Sequence, residues 1–141
     1  MERTQATVVA EADPAAMPER SARILVADDA AANRELVSTI LSQLGINAEV
    51  AHDGAEALAA VQVADFDLVL MDMHMPEMDG LEATRRIRAL GGAFARLPII
   101  ALTANALQGD REACMAAGMN DYLAKPFKRT DLQQILQRWV Q

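Results

Sequence analysis

Two hydrophobic periods alternate along the chain from Ser21 onward. Short apolar runs stand at Ile24-Leu25-Val26, Ala48 to Ala51, Leu68 to Met71, Leu97 to Leu102 and Tyr122 to Ala124. Between them lie stretches with helical spacing. Val37, Ile40, Leu41 and Leu44 fall at i, i+3, i+4 and i+7, and Leu132, Ile135, Leu136 and Trp139 repeat the interval. Gly45 and Gly118 stand where helix-stopping glycines belong. Asp53, with Glu56 three residues on, predicts an N-cap. Thr130 or Asp131 predicts the cap of the last helix. Five strand-like runs, each followed by a helix-like one, predict a (βα)5 chain. A run apolar on both faces, as in Leu68-Val69-Leu70, belongs in a parallel sheet covered by helices on both sides. The fold class is therefore α/β, a doubly wound parallel five-stranded sheet. Residues 1–20 show no periodic apolar face and read as a tail or linker ahead of one domain over residues 21–141.

Composition narrows the class. A chain of 141 residues, 52% hydrophobic and 23% charged, can bury a core and is not disordered throughout. The net charge of −7 argues against partners that demand a basic face, namely nucleic acid or an anionic membrane surface. The three arginines Arg85, Arg86 and Arg88 read as a solvated face. A single cysteine makes no internal disulfide. No apolar run approaches the roughly 18 residues of a membrane span, and the N-terminus has no signal-peptide pattern. These features predict a soluble, cytoplasmic, acidic domain.

Part of that acid stands at the strand ends. In doubly wound sheets, ligands bind beyond the carboxyl ends of the strands, where the strand order reverses. The first predicted strand runs into Asp28-Asp29, the third into Asp72, the fourth into Thr103 and the fifth into Lys125-Pro126. Any one of these aspartates alone reads as a cap or turn residue. Lys125 alone reads as a solvated lysine and Thr103 as a hydroxyl closing a turn. Three carboxylates on one rim repel one another, and burial raises their pKa values, so the charged cluster calls for a cation. An all-oxygen donor set without clustered Cys or His suits Mg2+, or Mn2+, rather than zinc. A lysine, a hydroxyl, a metal and a carboxylate nucleophile together make a minimal phosphoryl-transfer site.

The segments Ile24-Leu25-Val26-Ala27-Asp28-Asp29, Met71 to Gly80 (MDMHMPEMDG), Ala101-Leu102-Thr103-Ala104 and Lys125-Pro126-Phe127 resemble receiver domains of two-component response regulators. The resemblance extends from Arg23 to about Val140 and implies the flavodoxin-like receiver fold. It implies that Asp72 accepts a phosphoryl group from a phosphohistidine, in a Mg2+-dependent reaction, and becomes an acyl phosphate. Asp29 and Asp72 match direct metal ligands, Asp28 an acid acting through metal-bound water, and the His74 backbone carbonyl a further ligand. Lys125, Thr103 and the Ala104 amide match groups that bind the phosphoryl oxygens. Lys125-Pro126 matches a peptide bond that is usually cis. Thr103 and Tyr122 match a switch pair, through which phosphorylation biases an existing two-state equilibrium. His74 and Asn105 match variable positions that tune the lifetime of the acyl phosphate.

Asn33-Arg34, Ala101 to Ala106 (ALTANA) and Gly118-Met119-Asn120-Asp121-Tyr122 resemble in particular the receivers of hybrid histidine kinases and phosphorelays. That implies a histidine kinase or histidine phosphotransfer protein as partner, docking on the first helix through an edge residue such as Leu36 or Leu41. The chain ends just after the fifth helix, leaving no room for a DNA-binding output domain, so output is expected by protein contact or onward transfer. A free-standing single-domain regulator is the alternative parent.

Three rivals share parts of this pattern. A carboxylate-nucleophile phosphatase of the haloacid-dehalogenase kind needs a second Asp two residues after the nucleophile, where this chain has His74, and a nucleophile after the first strand. A flavodoxin-like FMN binder needs a phosphate loop where Asp28-Asp29 would repel the phosphate. A degenerate receiver would lack a site residue, and none is lacking. Met71, Met73, Met75 and Met78 around His74 could suit copper, but read more simply as core and turn residues.

Overall fold

The computed structural model describes residues 22–104, 108–125 and 127–140. In chain order the elements are β1 (Arg23–Ala27), α1 (Ala31–Gln43), β2 (Asn47–Ala51), α2 (Gly54–Val63), β3 (Leu68–Asp72), α3 (Gly80–Ala89), a 3-10 turn (Gly92–Ala95), β4 (Ile99–Thr103), α4 (Gln108–Ala117), β5 (Asp121–Ala124) and α5 (Arg129–Trp139). The strands form one parallel sheet in the order β2-β1-β3-β4-β5. The chain leaves β1 toward β2 on one side and returns to β3 on the other. The crevice between the carboxyl ends of β1 and β3 is therefore the switch point where this architecture binds ligands.

Strand alternation sorts the core into two layers. Ile24, Val26, Leu68, Leu70, Ile100 and Leu102 pack on Val37, Ile40 and Leu41 of α1 and Leu132, Ile135 and Leu136 of α5. Leu25, Ala27, Val69, Met71, Ile99 and Ala101 pack on Ala57 and Val61 of α2, Ala83 and Ile87 of α3 and Cys114 of α4. Every residue of β3 and β4 is buried, as their unbroken apolar runs require.

Most local signals operate as expected. The Asp53 carboxylate accepts the Glu56 N–H at 2.8 Å and starts α2. Gly45 ends α1 at φ +78°, a left-handed conformation costly for residues with a Cβ. Three expectations need correction. First, Leu41 is not an edge residue of α1: it is fully buried against the sheet and offers nothing to a partner, whereas Leu36 is 51% exposed. Second, α5 begins earlier than Thr130. Lys128 is its N-cap residue, and the Asp131 carboxylate reaches back to accept the Lys128 N–H at 2.9 Å. Third, only Arg85 and Arg86 lie on an open face, each paired with Glu82. Arg88 is half-buried and donates to the carbonyls of Gly118, Phe94 and Leu97 and to Asn120 Oδ1 at 2.7–2.9 Å, tying α3 to the loops on either side of β4 and α4. The run beginning at Leu97 joins the sheet through the Pro98 carbonyl, which accepts the Val69 N–H at 2.9 Å, and is strand from Ile99, the 3-10 turn preceding it.

Candidate functional site

β1 delivers Asp28 fully buried and Asp29 exposed. Asp28 Oδ1 accepts the Ala30 N–H at 2.9 Å, closing the turn into α1. Its Oδ2 lies 3.1 Å from Lys125 Nζ. The guanidinium of Arg34 donates to the Asp28 carbonyl at 2.7 Å, so the first turn of α1 braces the same residue. β3 delivers Asp72, whose side chain is 8% exposed and 3.5 Å from the same lysine nitrogen. Asp72 Oδ1 accepts the His74 N–H at 3.3 Å. Carboxylate oxygens of Asp28, Asp29 and Asp72 lie within 4.8 Å of one another.

Lys125 reaches this cluster because the sheet ladder continues past β5: its N–H donates to the Thr103 carbonyl at 2.7 Å. Thr103 ends β4 buried, and its hydroxyl donates to Asp110 Oδ2 on α4 at 3.3 Å. Ala104, beside it, is exposed. Burial pushes the Asp72 carboxyl above the usual aspartate range, and the Asp28 charge adds to this. Lys125 and the His74 amide pull the other way. The Lys125 ammonium thus pairs with two buried carboxylates, and the exposed Asp29 stands beside them. This all-oxygen donor set with excess negative charge is suited to a hard divalent cation.

The loop from β3 to α3 is held by close backbone approaches. The Gly80 N–H donates to the Met73 carbonyl at 3.1 Å, and the Gly54 N–H to the Met78 carbonyl at 3.0 Å. A Cβ at Gly80 would lie 2.1 Å from the Asp72 carbonyl oxygen. Between them Glu77 takes φ +69°, an uncommon conformation for a residue with a Cβ. Met71, Met73 and Met75 are buried in the α2–α3–α4 layer and Met78 packs on it, while His74 is exposed. These methionines are core, with Met73 Sδ 3.4 Å from Cys114 Sγ, and not a thioether shell around an imidazole.

The expected site residues Asp28, Asp29, Asp72, Thr103 and Lys125 thus stand on one rim, with His74 and Ala104 at its edge. Tyr122 is on β5, half-buried, its ring 5.0 Å from the Arg111 guanidinium carbon. Asn105 and Pro126 lie outside the described residues, and with them the tuning role of the former and the cis bond of the latter. Sequence reasoning missed Gly80, Gly54 and Asp110. For Gly80 a signal existed: a glycine at the first position of a helix already capped by Asp79 has no local reason to be there.

A profile of the response regulator receiver domain matches residues 24–137. The chain belongs to that family. The sensor protein GacS of Pseudomonas syringae pv. syringae is 42% identical over 123 residues, a match covering 86% of this chain and 14% of GacS. The receiver thus spans about one-seventh of that relative's length. The crystallised receiver domain of the sensor histidine kinase PA1611 from Pseudomonas aeruginosa PAO1 is 50% identical, with a TM-score of 0.79 over 85% of this chain and 98% of that one. That structure has a magnesium ion coordinated in its active site cleft. The receiver domain of Saccharomyces cerevisiae Ssk1, crystallised with the histidine phosphotransfer protein Ypd1, is 27% identical with a TM-score of 0.78, covering 85% of this chain and 89% of that one. Among the described residues of this receiver, no helix is long and apolar enough to cross a membrane.

Proposed function

We propose that this receiver takes a phosphoryl group from a phosphohistidine onto Asp72 and returns to rest by hydrolysis or onward transfer. The convergence of Asp28, Asp29, Asp72 and Lys125 at the switch point of the sheet carries the reading. Asp29 and Asp72 would hold Mg2+ directly, with Asp28 acting through bound water and the His74 carbonyl completing the protein donors. When bound, the ion supplies positive charge to the phosphoryl oxygens and to the crowded carboxylates.

The remaining work falls to the chain. An Asp72 oxygen attacks phosphorus as the P–N bond of the donor breaks. The bonding pair stays on the departing imidazole, which takes a proton from water, and Asp72 becomes an acyl phosphate. In hydrolysis, water attacks phosphorus, the bond from phosphorus to the Asp72 oxygen breaks, and the carboxylate is restored. Lys125, set between Asp28 and Asp72, pairs with the phosphoryl oxygens. The Thr103 hydroxyl and Ala104 amide are further donors, and movement of Thr103 frees the position toward which Tyr122 turns.

In its parent protein we read the domain as the cytoplasmic receiver of a hybrid histidine kinase, served by a kinase or phosphotransfer partner. A groove of about 350 Å³ joins the site to α1, lined by Asn33, Leu36, Ala104, Lys125 and Phe127. Leu36, 51% exposed, is the large apolar side chain that α1 presents to it. The Ssk1–Ypd1 complex shows that a related receiver binds such a partner.

Two results are expected. With phosphoramidate and Mg2+ the protein gains the mass of one phosphoryl group, and chelation by EDTA abolishes the gain. Sustained turnover of a phosphomonoester would instead favour a phosphatase. Leu36→Glu slows transfer from a phosphorylated kinase or phosphotransfer protein that serves the wild type by about tenfold or more, a loss of ~1.4 kcal/mol. Its rate with phosphoramidate stays unchanged. An equal loss with both donors would mean that Leu36 supports the site rather than the partner.

A further inference from the structure

The first turn of α4 touches both members of the expected switch pair. Asp110 Oδ2 accepts the Thr103 hydroxyl at 3.3 Å, and the guanidinium of its neighbour Arg111 lies over the Tyr122 ring at 5.0 Å. A threonine hydroxyl carries one proton and can donate it to one acceptor at a time. Thr103 therefore has to leave Asp110 before it can donate to an oxygen on Asp72. The Tyr122 ring stands beside a groove of about 440 Å³ lined by Arg111, Glu112 and Met115, on the α4 side of β5. Turning it toward the place Thr103 vacates gives up the cation–π contact.

We propose that Asp110 and Arg111 are positioning residues that hold Thr103 and Tyr122 in the resting arrangement, and so set how readily the site takes a phosphoryl group. The proposal rests on the reading of Asp72 as the phosphoacceptor. Both contacts belong to the resting arrangement and are given up when Thr103 and Tyr122 move, so each favours the resting state over the phosphorylated one. Loss of either contact should speed acceptance rather than slow it. A residue that merely supported the fold would have the opposite effect.

The test is the rate of phosphorylation by phosphoramidate with Mg2+, measured by intact mass, in wild type, Asp110→Ala, Asp110→Asn, Arg111→Ala, Thr103→Val and Asp110→Ala/Thr103→Val. Asp110→Ala is expected to speed acceptance by about two- to tenfold, the scale of one hydrogen bond. Asp110→Asn keeps an acceptor oxygen for the hydroxyl and should fall between Asp110→Ala and wild type. Arg111→Ala, at an exposed position, is expected to give about two- to fivefold. In the slower Thr103→Val background, Asp110→Ala should change nothing, because there is no hydroxyl to release. An equal gain in that background would show that the Asp110 charge merely repels the donor, and would overturn the proposal. So would rates at or below wild type in both Asp110→Asn and Arg111→Ala, whatever the folding of Asp110→Ala. Failure of wild type itself to take phosphate would sink both this proposal and the phosphoacceptor reading, whereas the other outcomes leave that reading standing.

Discussion

Asp72→Asn is expected to abolish phosphoryl acceptance and, at neutral pH without divalent cations, to raise the thermal unfolding midpoint. The first effect follows from chemistry: the amide offers no anionic oxygen to attack phosphorus. The second follows from linkage. Burial and the Asp28 charge raise the Asp72 pKa in the folded protein above its unfolded value. Between those two values the native state binds more protons than the unfolded chain, so stability falls as pH rises through the interval. Above the folded pKa the whole penalty is present. Asn carries none of it, while Lys125 keeps Asp28 as a partner. The variant should therefore be more stable than wild type near neutral pH, and the gain should vanish below the unfolded carboxyl pKa. Added Mg2+ should stabilise wild type more than the variant. Unfolding scans across pH, with Mg2+ and with EDTA, read both trends. A variant less stable than wild type at neutral pH without metal would contradict the electrostatic description of the site.

The second large effect is expected at a residue with no chemistry of its own. In Gly80→Ala the new Cβ would lie 2.1 Å from the Asp72 carbonyl oxygen and 3.0 Å from Met71 Cγ. The first of these atoms is backbone in a fully buried strand and cannot swing aside. Either α3 retreats or the end of β3 moves, at a cost of about 2–4 kcal/mol. Because Asp72 itself carries the clashing carbonyl, its carboxylate moves too. A displacement near 1 Å typically costs on the order of a hundredfold in rate. Gly45→Ala is the control: it meets no atom within 4 Å and bears only the strain of φ +78°, about 1–2 kcal/mol, with acceptance unchanged. Wild-type stability and rate in Gly80→Ala would show that the approach relaxes at no cost.

These two positions mark what the sequence makes legible. Asp72 could be found without coordinates because its evidence is local: an apolar run fixes a strand, and the strand's last residue is an acid. The same holds for Asp28, Asp29, Thr103 and Lys125, each at the end of a run, and the alternation of periods fixes the rim they share. Gly80 could be noticed but not explained, because its reason is the carbonyl of another element. Asp110 gave no signal, since an acid in the first turn of a helix already has a local use. Arg88 is hidden for a related reason: the three carbonyls and the Asn120 side-chain oxygen that take its protons lie 6 to 32 residues away in the chain. Leu41 failed differently. The helical period shows which residues share a face, but the width of the contact with the sheet decides which of them stay open, and Leu41 falls inside it while Leu36 does not.

In the proposed reaction, one carboxylate among three crowded ones accepts the phosphoryl group. Borohydride reduces an acyl phosphate to an alcohol, converting a phosphorylated aspartate to homoserine while leaving free carboxylates intact. Wild-type protein is treated with phosphoramidate and Mg2+, reduced, digested and sequenced by mass spectrometry. Homoserine is expected at position 72, with Asp28 and Asp29 unchanged and none formed when EDTA is present. Homoserine at 28 or 29, or none at any position, would contradict the proposed reaction.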